Sequence, residues 1–138
     1  MKRLRLLLCD DDSQMLSFLQ SVLKPEYTVI GTAEDGQALI AAAQALRPDL
    51  VLTDIHMPKL DGIDAVHELR RTLPDCQVIF HTSRTDPEMM AAAFSAGAVG
   101  YLVKGSLQSL LTGLRTALQH AQTYDKEFAV GRSAHLLS

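Results

Sequence analysis

The sequence predicts an α/β fold, in which a doubly wound parallel sheet of five strands is covered by helices on both faces. Five short apolar segments alternate with five helix-like segments along the chain. Several apolar segments have no polar alternation, as expected for strands that are buried on both faces. Strict alternation of strands and helices implies right-handed crossovers, which make the strands parallel.

The predicted strands are short and mostly aliphatic. They are Leu4–Cys9, Tyr27–Thr32, Asp49–Thr53, Gln77–His81 and Val99–Val103. The predicted helices are bounded by residue types that favour helix termini. Their expected starts are Ser13, Asp35, Asp61, Asp86 and Ser106, and their expected ends are Pro25, Pro48, Pro74, Gly97 and about Gln122.

Length and composition indicate one ordinary globular domain without a basic surface. The chain has 138 residues, of which 47% are hydrophobic, and a net charge of −3. Because no basic cluster follows Lys2, Arg3 and Arg5, direct nucleic-acid binding by this region is not expected. Cys9 and Cys76 lie in apolar runs and are expected to be buried, reduced thiols.

Residues 1–122 are predicted to form the domain. Residues 123–138 lack a sustained apolar period and are predicted to form a C-terminal tail or the start of a linker. The chain has no apolar stretch of the roughly 20 residues that a membrane span requires, and no signal peptide is recognised. We therefore expect no membrane association and a cytoplasmic location.

Polar residues follow four of the five predicted strands at the point where each strand ends. In an open parallel sheet, binding sites form at this edge. Each residue alone has a plainer explanation, such as helix capping or a solvated charge, but together they indicate a site. They are Asp10, Asp11 and Asp12 after the first strand, Asp54 after the third, Thr82 and Ser83 at the fourth, and Lys104 after the fifth.

These residue types suit phosphoryl transfer that depends on a divalent cation. Clustered carboxylates ionise together more easily when a cation joins them, and hard oxygen ligands without His or Cys favour Mg²⁺. A carboxylate can act as the nucleophile and form an aspartyl phosphate. Lys104 and Thr82 would then hold the remaining phosphoryl oxygens.

Four motifs in the right order resemble the receiver domain of bacterial two-component response regulators, over about residues 4–122. The resemblance implies a flavodoxin-like sheet, like that of chemotaxis proteins, in the strand order 2-1-3-4-5, with two helices on one face and three on the other. The motifs are Leu-Leu-Cys-Asp-Asp-Asp at 7–12, Asp54 followed by Met-Pro-Lys-Leu-Asp-Gly at 57–62, Thr82-Ser83, and Gly-Tyr-Leu-Val-Lys at 100–104.

The resemblance also implies roles for the metal-binding residues. Asp10 and Asp11 match the acidic pair that binds Mg²⁺, with Asp11 the more direct ligand, and the backbone carbonyl of His56 matches a further protein ligand. Asp54 matches the phosphorylated aspartate, which is itself a metal ligand. Asp12 falls outside the pair and is expected to cap a helix.

Three further residues take roles in reading the phosphoryl group. Thr82 and Lys104 match the hydroxyl and the amine that contact it, and Tyr101 matches the aromatic switch residue whose rotamer follows Thr82. The residue after Lys104 is Gly105, where the family often has a cis proline. Because a cis bond without proline costs about 3–4 kcal/mol, we expect a trans bond or a more mobile loop.

The resemblance implies a phosphorylation-dependent switch and not a dedicated enzyme. A sensor histidine kinase or a phosphotransfer protein would donate the phosphoryl group, and the domain would catalyse its own phosphorylation and slow dephosphorylation. A homodimer and an output domain in a longer chain are both compatible with it. The Lys-Gly-Ser run at 104–106 is similar to that of receivers that carry a DNA-binding helix-turn-helix.

Other readings of the sequence remain open. A receiver-like interaction module that works without phosphorylation would be expected to lack Asp11, Asp54 or Lys104. An aspartyl-phosphate phosphatase would place its nucleophile after the first strand. A flavodoxin-like cofactor binder is disfavoured by the acidic first loop. His56 and Arg84, near the mouth of the site, could modulate dephosphorylation or simply be surface residues.

Overall fold

Strands and helices alternate along the whole of the described chain. The computed structural model describes the backbone of residues 2–129 and the side chains of residues 2–121. The elements are β1 Arg5–Cys9, α1 Ser13–Leu23, β2 Thr28–Ala33, α2 Gly36–Leu46, β3 Leu50–Thr53, α3 Gly62–Thr72, β4 Gln77–Thr82, α4 Pro87–Ala96, β5 Gly100–Val103 and α5 Leu107–Ala129.

All five strands belong to one parallel sheet in the order β2-β1-β3-β4-β5. The predicted fold class and strand order are confirmed, and each observed strand lies within about one residue of its predicted bounds. Because β1, β3 and β4 each have a strand on both sides, their backbone polar groups can be paired while both of their faces are buried.

The two faces of the sheet carry separate hydrophobic cores. Helices α1 and α5 cover one face, where Leu19 of α1 and Leu114 of α5 are fully buried. Helices α2, α3 and α4 cover the other, with Leu39, Leu69 and Ala93 at its centre. This two-plus-three arrangement is the one predicted. The core is aliphatic apart from a few rings, in keeping with a chain that has no Trp.

Most helix boundaries agree with the predicted signals, and two do not. Asp35 and Asp61 cap α2 and α3 by accepting hydrogen bonds from backbone N–H groups. The first helix is capped by Asp12, as expected for that residue, and not by Ser13, since the Asp12 carboxylate accepts from the backbone of Gln14. A carboxylate is a strong acceptor at this position, where it also meets the positive end of the helix dipole.

The second difference is the end of the last helix. Helix α5 continues seven residues beyond the predicted end at Gln122 and reaches Ala129. Residues 130–138 of the predicted tail lie outside the described part of the chain, and the domain boundary at residue 122 stays a prediction. Within the described residues, no helix combines the length and the apolar character that crossing a membrane requires.

Parallel pairing brings the strand ends together at one edge of the sheet. Cys9 pairs with Thr53, so the residues that follow them, Asp10 and Asp54, leave the sheet side by side. Thr82 pairs with Val103 of β5, and the backbone N–H of Lys104 donates to the Thr82 carbonyl at 2.7 Å. No peptide bond of the described chain is cis, so the bond between Lys104 and Gly105 is trans.

Candidate functional site

Three carboxylates form a cluster at the carboxyl edge of the sheet. One oxygen from each of Asp10, Asp11 and Asp54 lies within 4.8 Å of the others. Asp10 and Asp54 are buried, with 1% and 8% of their surface exposed, whereas Asp11 is exposed. The acidic residues singled out in the sequence are therefore brought together, with one carboxylate facing solvent and two facing the protein.

Lys104 reaches across the sheet to the two buried carboxylates. Its Nζ lies 2.8 Å from Oδ2 of Asp54 and 3.0 Å from Oδ2 of Asp10. Burial would lower the pKa of Lys104, but its contacts with Asp54 and Asp10 outweigh burial and raise that pKa above the ordinary value. The lysine is therefore a fixed positive charge beside the carboxylates.

Asp10 has one carboxylate oxygen without a hydrogen bond. Its Oδ1 accepts from the backbone N–H of Asp12 at 2.9 Å. Its Oδ2 is buried and, although it lies at ion-pair distance from Lys104, it has no hydrogen bond of acceptable geometry. Burial raises the pKa of Asp10, and the contacts with Asp12 and Lys104 only partly oppose this. One lysine does not balance three carboxylates, so the cluster fits a second cation with a preference for oxygen ligands.

Asp54 is held with one oxygen fixed and one directed at the lysine. Its Oδ1 accepts from the backbone N–H of Ile55 at 2.7 Å, and its Oδ2 accepts from Lys104. Behind it, the start of α3 packs closely on the end of β3: the Gly62 N–H donates to the Ile55 carbonyl at 2.7 Å. A Cβ at Gly62 would lie 2.3 Å from the Asp54 carbonyl oxygen, so only glycine fits this contact.

Thr82 and Tyr101 lie on adjacent strands and are connected through Arg84. Thr82 is buried, and its Oγ1 accepts from the backbone N–H of Arg84 at 3.3 Å. The Tyr101 hydroxyl donates to the Arg84 carbonyl at 3.0 Å, and its half-buried ring packs against the core under α4. The backbone of Arg84 therefore contacts both residues that the sequence predicted to act together.

The Arg84 side chain spans the mouth of the site. Its Nη1 lies 2.9 Å from His56 Nε2, and its Nε donates to Asp86 Oδ1 at 2.9 Å. Because guanidinium is only a donor, Arg84 is the donor in this contact and His56 Nε2 the acceptor. The sequence indicated that both residues lie near the site, but a contact between two loops 28 residues apart has no local signal.

His81 is a buried residue whose environment was not predicted. It is 5% exposed, and its Nδ1 has no hydrogen-bond partner. Burial, reinforced by the charge of Lys104 and opposed by Asp54, lowers the pKa of His81 to about 4. The sequence indicated no role for this histidine. Its position directly before Thr82 in an otherwise apolar strand was the available signal for burial.

Both cysteines are buried and unpaired, as predicted. Burial, opposed in part by a contact with Thr53, raises the pKa of Cys9 to about 12. Burial likewise raises the pKa of Cys76 to about 11, with a smaller opposing effect of Arg70. Both side chains are therefore neutral thiols at physiological pH, and neither is poised as a nucleophile.

Comparison with known proteins agrees with this arrangement. The family described as the response regulator receiver domain matches residues 6–122. The transcriptional regulatory protein PdtaR of Mycobacterium tuberculosis is 34% identical over 118 residues, which are 83% of this chain and 56% of that protein. The chain spans about half the length of the curated relatives it matches, including YxjL of Bacillus subtilis at 54%.

Solved structures give the same result for the fold. The signal receiver domain of NarL from Mycobacterium tuberculosis superposes with a TM-score of 0.77 at 27% identity, covering 96% of this chain and 100% of that one. The chemotaxis response regulator CheY4 of Vibrio cholerae has a TM-score of 0.77 at 28% identity, covering 84% of this chain and 99% of that one. On its fold, its strand-end residues and this match over most of its length, the chain belongs to the family of response regulator receiver domains.

Proposed function

We propose that this domain is a phosphoacceptor switch in which Asp54 receives a phosphoryl group from a histidine kinase in a Mg²⁺-dependent reaction. The observation that supports this most is the contact of the Lys104 ammonium group with both Asp54 and Asp10 at the edge where the three carboxylates meet. A fixed cation beside a nucleophilic carboxylate stabilises the charge of a transferring phosphoryl group.

In the proposed transfer, an oxygen of Asp54 forms a bond to phosphorus while the phosphorus–nitrogen bond of the donor phosphohistidine breaks. The imidazole of the donor leaves with the electron pair of that bond. The N–H of Ile55 holds one carboxylate oxygen in place, which fixes the direction in which the other oxygen points. Lys104 then exchanges its contact with Asp54 for a contact with a phosphoryl oxygen, and the Thr82 hydroxyl donates to another.

Asp10, Asp11, Asp54 and the backbone carbonyl of His56 would hold the Mg²⁺ ion. When bound, the ion supplies positive charge shared between protein carboxylates and phosphoryl oxygens. The donor set fits it, since it consists of hard oxygen atoms and includes the buried Asp10 Oδ2 without a hydrogen bond. The domain would thus promote its own phosphorylation and its own slow dephosphorylation, without being an enzyme that acts on another substrate.

The switch requires a donor and a recipient of its signal. We propose a sensor histidine kinase or a phosphotransfer protein as donor, in the cytoplasm. The recipient would be a second copy of the chain or an output domain in a longer chain. The latter is supported by relatives of about twice the matched length, some named as transcriptional regulators. Residues 1–122 would be the receiver unit and residues 123–138 the start of the connection.

Intact-mass spectrometry after incubation with acetyl phosphate and Mg²⁺ tests this function. We expect wild type to gain the mass of one phosphoryl group, and neither Asp54→Ala nor Asp54→Asn to gain it. Asp64→Ala, which removes an exposed carboxylate of α3, is the matched control and should be phosphorylated like wild type. A wild-type chain that stays unmodified with this donor and with phosphorylated histidine kinases would instead favour an interaction module that works without phosphorylation.

A further inference from the structure

Two sulfur atoms are in contact directly beside the acidic cluster. Cys9 Sγ lies 3.3 Å from Met57 Sδ. Cys9 is the last residue of β1 and immediately precedes Asp10, and Met57 immediately follows His56 in the connection between β3 and α3. The contact therefore joins the chain neighbours of two groups that are proposed to bind the same cation.

The Met57 side chain also reaches the neighbour of Asp54. Its Sδ lies 3.9 Å from Thr53 Oγ1, and the Thr53 hydroxyl donates to the Asp54 carbonyl at 2.9 Å. Cys9 and Thr53 are paired across β1 and β3, and both are buried. The Met57 sulfur atom therefore contacts Cys9 and Thr53, the residues that directly precede Asp10 and Asp54.

We propose that Cys9 and Met57 form a positioning pair, which holds the loop carrying His56 against the strand end carrying Asp10 and so sets the affinity of the site for a divalent cation. This inference rests on the proposed function, because it takes the His56 carbonyl as a metal ligand. Neither sulfur atom touches the cation. Both act through the backbone of the adjacent residue.

Met57 is a point at which the loop, directly after His56, contacts the sheet. His56 is exposed, and Lys59 has a φ of 71°, in the left-handed region that a lysine rarely adopts. Methionine has three rotatable side-chain bonds and by itself fills space without fixing a direction. The contacts with Cys9 and Thr53 restrict it at its sulfur atom, which converts a core side chain into a connection between the loop and two strands.

A role in packing alone and a role in positioning the loop predict different effects of replacing these two residues. If Met57 and Cys9 only fill the core, replacing them lowers the free energy of unfolding and leaves cation affinity unchanged. If they position the loop, replacing either one weakens cation binding by more than the loss of stability explains. Residues that orient metal ligands typically change metal affinity by about tenfold or more when they are replaced.

The test compares Cys9→Ala, Met57→Leu and the double variant in the full chain. Isothermal titration calorimetry gives the Kd for Mg²⁺, and urea unfolding in EDTA gives the metal-free stability. We expect each single variant to raise the Kd by about tenfold. The double variant should bind Mg²⁺ no more weakly than the weaker-binding single variant, because both replacements remove the same contact. Cys76→Ala, which removes the other buried thiol, is the matched control and should lose stability while keeping the wild-type Kd.

The possible outcomes separate this inference from the function on which it rests. Wild-type Kd values in Cys9→Ala and Met57→Leu, with phosphorylation of Asp54 intact, would overturn the positioning pair and leave the proposed function standing. A wild-type chain that binds no Mg²⁺ would overturn both. Should Cys9→Ala fail to fold, Cys9→Ser, which keeps the size of the side chain, gives the same comparison of Kd with stability.

Discussion

Lys104 keeps its charge in a partly buried position because carboxylate oxygens of Asp54 and Asp10 lie within 3.0 Å of its ammonium nitrogen. His81 responds to the same surroundings in the opposite way. It is buried beside that positive charge without a hydrogen-bond partner for Nδ1, and it therefore stays neutral. Protonation of these two residues is set by their immediate neighbours.

The low pKa of His81 predicts a loss of stability in mild acid. An unfolded histidine binds a proton below its ordinary pKa of 6.5, whereas folded His81 binds one only below about 4. Between these values the unfolded state holds more protons, so stability falls as pH falls from about 6.5 to about 4, in total by about 3 kcal/mol. The pKa of Asp10 is raised, so at the acidic end of this range Asp10 makes the stability rise as pH falls.

Urea unfolding in EDTA between pH 4 and pH 8 measures this effect. His81→Leu replaces the ring by an apolar side chain of similar size, and we expect the difference in stability between variant and wild type to grow in favour of the variant as pH falls. His67→Gln, at an exposed histidine of α3, should keep the wild-type pH dependence. A constant difference between His81→Leu and wild type across this range would contradict the prediction.

Contacts between elements place the loops of the site. The start of α3 lies against the end of β3 at Gly62, and the start of α2 lies against the α3 loop at Gly36, where a Cβ would meet the Leu60 carbonyl oxygen at 1.9 Å. Both contacts are backbone to backbone. Side chains cannot relieve them, so these two glycines fix the separation between elements that surround the acidic cluster.

Gly62→Ala should destabilise the fold and disturb the site. Its Cβ would lie 2.3 Å from the Asp54 carbonyl oxygen, so α3 must move away from β3. We expect a loss of about 1–3 kcal/mol in the free energy of unfolding, as for other overpacked positions. Gly105→Ala is the control, because a Cβ there meets only the Val103 carbonyl oxygen at 3.8 Å. Equal free energies of unfolding for the two variants, measured with urea, would show that α3 can move away from β3 at little cost.

At the level of elements, the sequence predicted most of the fold because hydrophobic period and helix-terminal residues act locally. The end of α5 was wrong for a local reason too. An apolar period marks a helix only where the helix has a surface to cover, and the residues after Gln122 show no sustained period. Asp12 and Ser13 are both good capping residues, so the choice between them depended on backbone geometry.

The sequence predicted which residues form the site, but not all of the contacts between them. Parallel strands place their ends at one edge, which is why Asp10, Asp54 and Lys104 could be expected to meet. The contact of Arg84 with His56 joins two loops whose approach depends on the whole sheet, and the sequence has no period that reports it. The burial of His81 had only a weak signal, its place in a largely apolar strand, since a histidine in a strand is compatible with either environment.

Across the whole molecule, Mg²⁺ should stabilise the folded state. Because the ion is expected to bind the assembled cluster and not the unfolded chain, a concentration of ten times its Kd adds about 1.4 kcal/mol. Asp11→Asn should remove most of this gain and also lessen repulsion in the metal-free site. Asp75→Asn, an exposed acid just before β4 at the opposite edge of the sheet, should respond to Mg²⁺ as wild type does. Thermal unfolding with and without Mg²⁺ measures both; a full response in Asp11→Asn would refute its role as ligand.

Phosphorylation should change the surface formed by α4, β5 and α5. We expect the Thr82 hydroxyl to leave the Arg84 N–H and turn toward the phosphoryl oxygens, and the Tyr101 ring to move further inward. A beryllofluoride complex, in which the metal fluoride stands in for the phosphoryl group, tests this by crystallography or NMR. Thr82→Ala in the same complex should leave Tyr101 in place. If Tyr101 and the loop after Thr82 keep their metal-free positions in wild type, transmission would run by another route, such as dimerisation through α1 and α5.

The strand order also determines when, during synthesis, the charges of the site first meet. Strands β2, β1 and β3 are adjacent and complete by Thr53, whereas Lys104 follows the last strand. If the amino-terminal strands pair before the rest of the domain is made, a nascent three-stranded sheet would gather the acidic residues some fifty residues before their lysine is available. Mg²⁺ could serve as the early counterion, and stopped-flow circular dichroism should then show faster refolding with Mg²⁺ than in EDTA. Equal rates would mean that the carboxylates come together only once β5 has docked.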